Sequence, residues 1–249
     1  GAGERGWALM EHRVAIIGAG LIGNKRAAAI GGTTGSRLVA VADADAEKAR
    51  ALADEHGAAA ATDWRSVLER DDVDVVVAAV YNASLLPVAA AALKSGRHVL
   101  CEKPLGRNSL ESRQIIASRN GHAGLTVLKT GFNHRFHPAL WRAKELLDEG
   151  AIGECLNIRA RYGHGGRPGM EKEWRASLHL CGGGELLDQG VHVIDLIRWF
   201  GGEITEVYSR VETSFWDIEV EDNAMAIMQT ASGASAQFHV SWTNWKNLF

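Results

Sequence analysis

The stretch "HRVAIIGAGLIG" (12–23) constrains this chain more than any other. A short apolar run ends in glycine and passes directly into G-x-G-x-x-G, with Gly18, Gly20 and Gly23 at the three fixed positions and a helical pattern continuing to Ile30. In a strand–turn–helix each glycine has its own task. Gly18 permits the tight turn, Gly20 lets the backbone approach a pyrophosphate, and Gly23 allows close helix–strand packing. The N–H groups of the first helical turn, which holds Leu21 and Ile22, then stabilise phosphate charge. The hexapeptide alone is a weak signal, because glycine-rich turns are common. Asp43 strengthens it by lying twenty residues beyond Gly23, at the end of the strand "SRLVAVAD" (36–43). A carboxylate there accepts hydrogen bonds from adenine ribose hydroxyls and repels a 2′-phosphate, and no arginine follows in "DADAEK". The expected cofactor is therefore NAD, in preference to NADP. A competing reading has Asp43 only capping the next helix, for which Asp45 is better placed.

The strand–helix alternation continues. "DAEKARALADEH" (45–56) reads as a helix and "VDVVVAAV" (73–80) as a strand, followed by a helix to about Ser95 with Pro87 in its first turn. "RHVLCEK" (97–103) is a further strand, a helix starts at Ser109, and "GLTVLKTGF" (124–132) is another strand; weak signals near 58–61 hide one more. Apolar runs joined by crossover helices imply a parallel, doubly wound α/β sheet covered on both faces. After about residue 132 the pattern changes. A helix (138–150), the strand-like "GECLNIRARYG", a polar loop and a second helix lead into three alternating segments at 203–215, 222–232 and 234–244. Their Met225, Ile227, Phe238, Val240 and Trp242 are expected to share one covered face. The expected domains are 10–132, dinucleotide-binding, and 133–249, an α+β domain with an open, mainly antiparallel sheet. The second is expected to be incomplete at its C-terminus, which would expose a sheet edge. Met10 is expected to be the natural start, with residues 1–9 a leader or an added remnant.

Composition narrows the function classes. With 46% hydrophobic and 23% charged residues the chain is ordinarily globular, and a formal charge of -3 gives no footprint for nucleic acid or an anionic membrane. Residues 73–96 approach the length of a membrane span, but Asn82, Ser84 and Pro87 interrupt them. "GAGERGWAL" lacks the apolar core of a signal peptide, so no export is expected. Cys101, Cys155 and Cys181 are scattered and odd in number, which fits reduced thiols in a cytoplasmic protein.

Three stretches carry candidate chemistry. In "CEKPLG" (101–106), Lys103 follows a strand at the carboxyl edge of the sheet, where a cation can stabilise a developing alkoxide. In "GGGELLDQGVHVID" (182–195), Asp188, His192 and Asp195 fall on one face of a regular helix. That face reads as a metal site with Glu185 as a further ligand, as an acid/base unit, or as a solvated polar surface. The stretch itself contains no cysteine and no second histidine at ligand spacing from His192, so no metal is expected. "YGHGGRPGMEKEWR" (162–175) is a solvent loop or a substrate lid, with His164, Arg167, Lys172 and Arg175; its arginines would suit an anionic substrate. Tyr162 and Trp174 either pack in the core or stack on a sugar ring. "FNHRFHP" (132–138) holds His134, Arg135 and His137, with Arg135 expected to be mainly structural.

Taken in order, "VAIIGAGLIG", "VAVADAD", "HVLCEKPLG", "GFNHRFHPAL", "GAIGE" and "GGGELLDQGVHVIDLIRWFGG" resemble the Gfo/Idh/MocA family of oxidoreductases. The resemblance implies an N-terminal Rossmann domain and NAD(P)-linked oxidation or reduction of sugar, sugar-derivative, nucleotide-sugar or inositol hydroxyls. It implies a cis peptide at Lys103–Pro104; Glu102, Lys103 and Asn82 are expected at the cofactor. It assigns Lys103, Asp188 and His192 to the substrate, with His192 as acid/base. From its place one turn beyond His192, Asp195 is expected to fix that ring, and Arg167 and Trp174 complete the expected substrate set. "VYNASL" (80–85) keeps Asn82 but departs from the family's Thr-Pro and histidine, with Val-Tyr and Leu85 in those places. The alternatives are a glycosidase using NAD in transient redox and an inactive NAD-binding regulator. A homo-oligomer, dimer or tetramer, is also expected from a sheet face of Met, Phe and Trp side chains.

Overall fold

The computed structural model describes residues 11–119 and 126–247. The expected leader and Met10 lie outside the described residues, as do Gly124 and Leu125 of one expected strand. The chain divides into two compact units at Thr130/Gly131, with Tyr81–Ala83 grouped with the second.

The first unit alternates strand and helix: β1 (His12–Ile17), α1 (Leu21–Gly31), β2 (Ser36–Ala42), α2 (Ala46–His56), β3 (Ala59–Ala61), α3 (Trp64–Leu68), β4 (Val75–Ala78), α4 (Asn82–Lys94), β5 (His98–Cys101), α5 (Ser109–Ala117) and β6 (Leu128–Thr130). The six strands are parallel in the order β3-β2-β1-β4-β5-β6, a doubly wound sheet whose strand order reverses between β1 and β4. The weak signal near 58–61 is β3. Valine, isoleucine and alanine on both faces of the strands form two buried clusters, one including Ala15, Val76 and Leu93, the other Ile16, Val41 and Leu52. Asp45 caps α2 by accepting from the Glu47 and Lys48 N–H groups. Pro87 sits in the second turn of α4, not the first, because β4 ends early and the helix begins at Asn82. The guanidinium of Arg13 on β1 grips Asp74, just before β4, and holds its carboxyl down at about 2.

The second unit contains α6 (Pro138–Asp148), β7 (Asn157–Gly163), a short α7 (Leu178–Cys181), α8 (Val191–Gly201), β8 (Ile204–Glu212), β9 (Asn223–Thr230) and β10 (Ser235–Ser241). Its sheet runs β7-β10-β9-β8, with β7 and β10 parallel and the other pairs antiparallel. Val193 and Ile197 of α8 belong to one buried cluster with Ala224, Ala226 and Met228 of β9 and Phe238 and Val240 of β10. The expected shared face is therefore corrected for β9. Met225 and Ile227 are 42% and 62% exposed, and the alternate residues are the buried ones. Small side chains at 224 and 226 let the helix approach the sheet, which turns the larger residues outward. Trp242, just beyond β10, packs in a separate cluster with Met170, Cys181 and Val220. Within this unit Asp222 is fully buried and accepts from the backbone N–H groups of Ser214, Phe215 and Trp216 and from the Asn223 amide. Among the described residues, no helix is long and apolar enough to cross a membrane.

Candidate active site

The first unit places a set of chemically distinctive residues at the carboxyl edge of its sheet. β1 ends at Ile17, and Gly18 turns the chain with a φ of +102°. A Cβ on Gly18 would lie 2.3 Å from the Ala79 carbonyl oxygen, and one on Gly23 would lie 1.9 Å from the Gly18 oxygen. Both positions therefore require glycine for close backbone approach. Gly20 differs, because no atom lies within 4 Å of where its Cβ would be. That open space adjoins the start of α1, where Gly20 supplies no side-chain cap and Leu21 is 74% exposed. Phosphate oxygens suit such a cradle: they gain amide donors and the positive end of the helix without meeting a side chain.

Asp43 follows β2. One carboxylate oxygen accepts from the Ala19 N–H at 2.7 Å and the other from the Asp45 N–H at 2.9 Å. The two bonds fix the carboxylate beside the glycine turn and leave lone pairs for ribose hydroxyls. After β5, Glu102 is held by Arg26 at 2.6 Å and the Lys103–Pro104 peptide is cis. Burial pushes the neighbouring Cys101 thiol up to about 12, aided by the Glu102 charge, so this cysteine is inert.

The second unit organises the helix that carries His192. Its lead-in, "GGGE", does not lie open for a ligand. A Cβ on Gly184 would be 1.8 Å from the Glu221 carbonyl oxygen, and Glu185 donates its N–H to that carbonyl. The glycines serve close packing of the chain on itself. Residues Leu186–Gly190 then form a π-helical turn before α8 begins. The wider turn changes the angle between Asp188 and His192 from that of a regular helix, and such turns recur at functional sites.

Each of the three polar residues has a definite setting. Asp188 pairs with Arg175 at 3.1 Å, and Arg175 in turn lies over the Trp174 ring at 4.4 Å. His192 is 4% exposed and its ring is stacked on His134, centroid to centroid 4.1 Å and 18° from parallel. Phe132 meets the same imidazole edge-on at 5.9 Å. Asp195 gives both carboxylate oxygens to the Arg135 guanidinium, each at 2.7 Å. Arg135 thereby anchors the short turn Asn133–Phe136, which carries His134, onto α8. Asp195, expected from sequence to fix the His192 ring directly, instead holds the turn that supplies its stacking partner.

The loop 162–175 is neither bare nor wholly solvent. Met170 is buried in the Trp242 cluster, while Arg167 forms a two-point pair with Glu173 at 2.6 and 2.7 Å. Tyr162 on β7 lies 5.6 Å from the His134 ring; burial and the Glu185 and Asp188 charges push its phenol up. Burial likewise lowers His164, with Arg167 and Arg175 adding to the shift and Asp188 opposing it. Asn82, grouped with this unit, is buried and donates to the Cys181 carbonyl at 2.8 Å, and the neighbouring Tyr81 lies 5.1 Å from Trp174, ring to ring. His134 is the residue that spacing did not single out. It lies 58 residues before His192, and no local pattern links the two.

The parallel sheet with its glycine turn, together with the helix-covered four-stranded sheet of the second unit, defines a dinucleotide-fold protein with an appended α+β domain. Two family models match it: the oxidoreductase family with an NAD-binding Rossmann fold over residues 12–127, and the GFO/IDH/MocA C-terminal domain over residues 140–248. The chain belongs to the Gfo/Idh/MocA family. It is 35% identical over 179 residues to levoglucosan dehydrogenase of Pseudarthrobacter phenanthrenivorans, covering 70% of this chain and 45% of that protein. It is 34% identical over 229 residues to inositol 2-dehydrogenase 4 of Saccharopolyspora erythraea, covering 90% of this chain and 64% of that protein. The chain thus spans about half to two thirds of these relatives' lengths. Among solved structures, GenD2 from gentamicin A biosynthesis, in complex with NAD, superposes with a TM-score of 0.87 at 31% identity, covering 98% of this chain and 70% of that one. Levoglucosan dehydrogenase in complex with NADH and levoglucosan also gives a TM-score of 0.87, at 29% identity over 95% of this chain and 69% of that one.

Proposed function

We propose that the protein is an NAD-dependent oxidoreductase that moves a hydride between the cofactor and a hydroxyl-bearing carbon of a sugar, sugar derivative or inositol. The observation that carries this reading is the open cradle at Gly20, flanked by the uncapped start of α1 and the backbone-fixed carboxylate of Asp43. Gly18, Gly20, Leu21, Ile22 and Gly23 would hold the pyrophosphate, Asp43 the adenine ribose, and Glu102, Lys103 and Asn82 the remainder. NAD bound there supplies the hydride acceptor.

His192 takes the proton of the substrate hydroxyl during oxidation and returns it during reduction, work for which imidazole is suited near neutrality. Lys103 stabilises the developing alkoxide, and Asp188, steadied by Arg175, orients the hydroxyl. Trp174 offers an aromatic face to the sugar, while Arg167, tied to Glu173, borders the loop. The names of the relatives, levoglucosan and inositol dehydrogenases, support a carbohydrate or cyclitol as substrate. Three unbridged cysteines fit a reducing, cytoplasmic compartment. Exposed Tyr208, Met225 and Ile227 on one face of the sheet support a homo-oligomer.

A panel of sugars, cyclitols and nucleotide sugars, followed by reduced-cofactor absorbance with NAD and with NADP, tests the reading. We expect higher kcat/KM with NAD. Asp43→Asn should lower the NAD:NADP ratio of kcat/KM by about tenfold or more, because it removes a charged acceptor for the ribose and the repulsion of a 2′-phosphate. Better turnover of the unaltered protein with NADP would contradict the role given to Asp43.

A further inference from the structure

The stacking of two histidines is the feature of the second unit that the proposed reaction leaves unused. Their rings lie 4.1 Å apart and nearly parallel, so the facing surfaces leave no room for water or a counter-ion between them. One imidazolium over one neutral imidazole is a favourable cation–ring arrangement, but two imidazolium ions at this distance repel. Solvation decides which ring is charged first. His192 is 4% exposed, whereas His134 is only half-buried, so charge on His134 is the less costly.

From α8, Asp195 is neutralised by the two-point pair with Arg135 of the 133–136 turn. From the π-helical segment, Asp188 is paired with Arg175; Glu185, just before that segment, is fully buried, and both carboxylates act on Tyr162, the β7 phenol near His134. We propose that His134 is a positioning residue that carries the single proton of the stacked pair, keeping His192 neutral and ready to accept the substrate proton. The inference rests on the assignment of His192 as the acid/base group. When the substrate O–H bond breaks and the proton reaches His192, the pair holds two protons, and repulsion expels one to solvent through the more exposed His134.

A charge series at position 134 tests this. In His134→Phe and His134→Asn the neighbour cannot be charged, so His192 takes the first proton itself. The acidic limb of the kcat/KM–pH profile for oxidation should then move up by about one pH unit. His134→Arg carries a permanent charge, and its acidic limb should lie at or below that of the unaltered protein. A purely structural role would shift all three variants in the same direction, and that result would overturn the proposal. Histidine side-chain NMR of the ligand-free 249-residue chain gives a second readout that needs no turnover. There we expect two coupled steps separated by more than about one pH unit, His134 taking the first proton. Independent titration, or first protonation of His192, would sink the proposal even if the panel shows the expected dehydrogenase. Coupled titration without turnover of any sugar or cyclitol would instead uphold the pair and contradict only the assigned reaction.

Discussion

His192→Asn is expected to lower kcat by about 10²–10⁴-fold, the usual contribution of a positioned general acid/base, while leaving NAD affinity unchanged. The two effects separate because they arise in different units. Gly18, Gly20 and Asp43, proposed to hold the cofactor, belong to the first, and the imidazole on α8 to the second. Asparagine keeps a polar group of similar reach beneath His134 but cannot accept a proton near neutrality. Steady-state kinetics with a substrate identified in the panel, combined with a titration of NAD binding, measures both quantities. Unaltered kcat would remove His192 from the mechanism. An equal loss of NAD affinity would show that the substitution damaged more than proton transfer.

Asp222→Ala is expected to destabilise the second unit by about 2–4 kcal/mol, a figure typical of deleting a buried, multiply bonded charged acceptor. Burial alone would raise this carboxyl, but the N–H groups of Trp216, Ser214 and Phe215 and the Asn223 amide outweigh it and hold the group below the ordinary carboxylate range. Alanine would strand three backbone donors in the 214–216 turn. The sign of the pH dependence follows from the lowered value. Stabilisation by the ionised carboxylate is fully present above the unfolded pKa of about 3.9, and it is lost as pH falls through the lower folded value. Denaturant unfolding at neutral pH and again near pH 3 should therefore show a smaller difference between variant and unaltered protein at the acid end. A difference under about 0.5 kcal/mol at neutral pH, the scale of an inconsequential surface change, would contradict this account of the turn.

The first unit is legible in the sequence because its signals are local. Apolar runs bounded by glycine mark the strands, and the spacing from Gly18 to Gly23 and on to Asp43 reports a turn whose parts are close along the chain. The second unit is less so. Period-two alternation in β9 shows that the faces differ but not which one is covered. The choice falls to Ala224 and Ala226 because a helix packs closely over small side chains, a fact of tertiary packing. The Asp188–His192–Asp195 spacing assumes a regular helix and overlooks the π-helical turn at Leu186–Gly190. The role of the glycines before α8 is equally non-local: Gly184 is pressed against Glu221, 37 residues further on. The pairing of His134 with His192 and of Arg135 with Asp195 likewise depends on residues brought together only by folding.

The most direct measurement of the central claim follows deuterium from substrate to cofactor. The protein is incubated with NAD and a panel substrate deuterated at its carbinol carbon, and both the reduced cofactor and the product are analysed by mass spectrometry. The account predicts one deuterium in each NADH formed and one equivalent of ketone product. Product released with no accumulation of NADH, as in hydrolysis by transient redox, or NADH formed without the label, would contradict it.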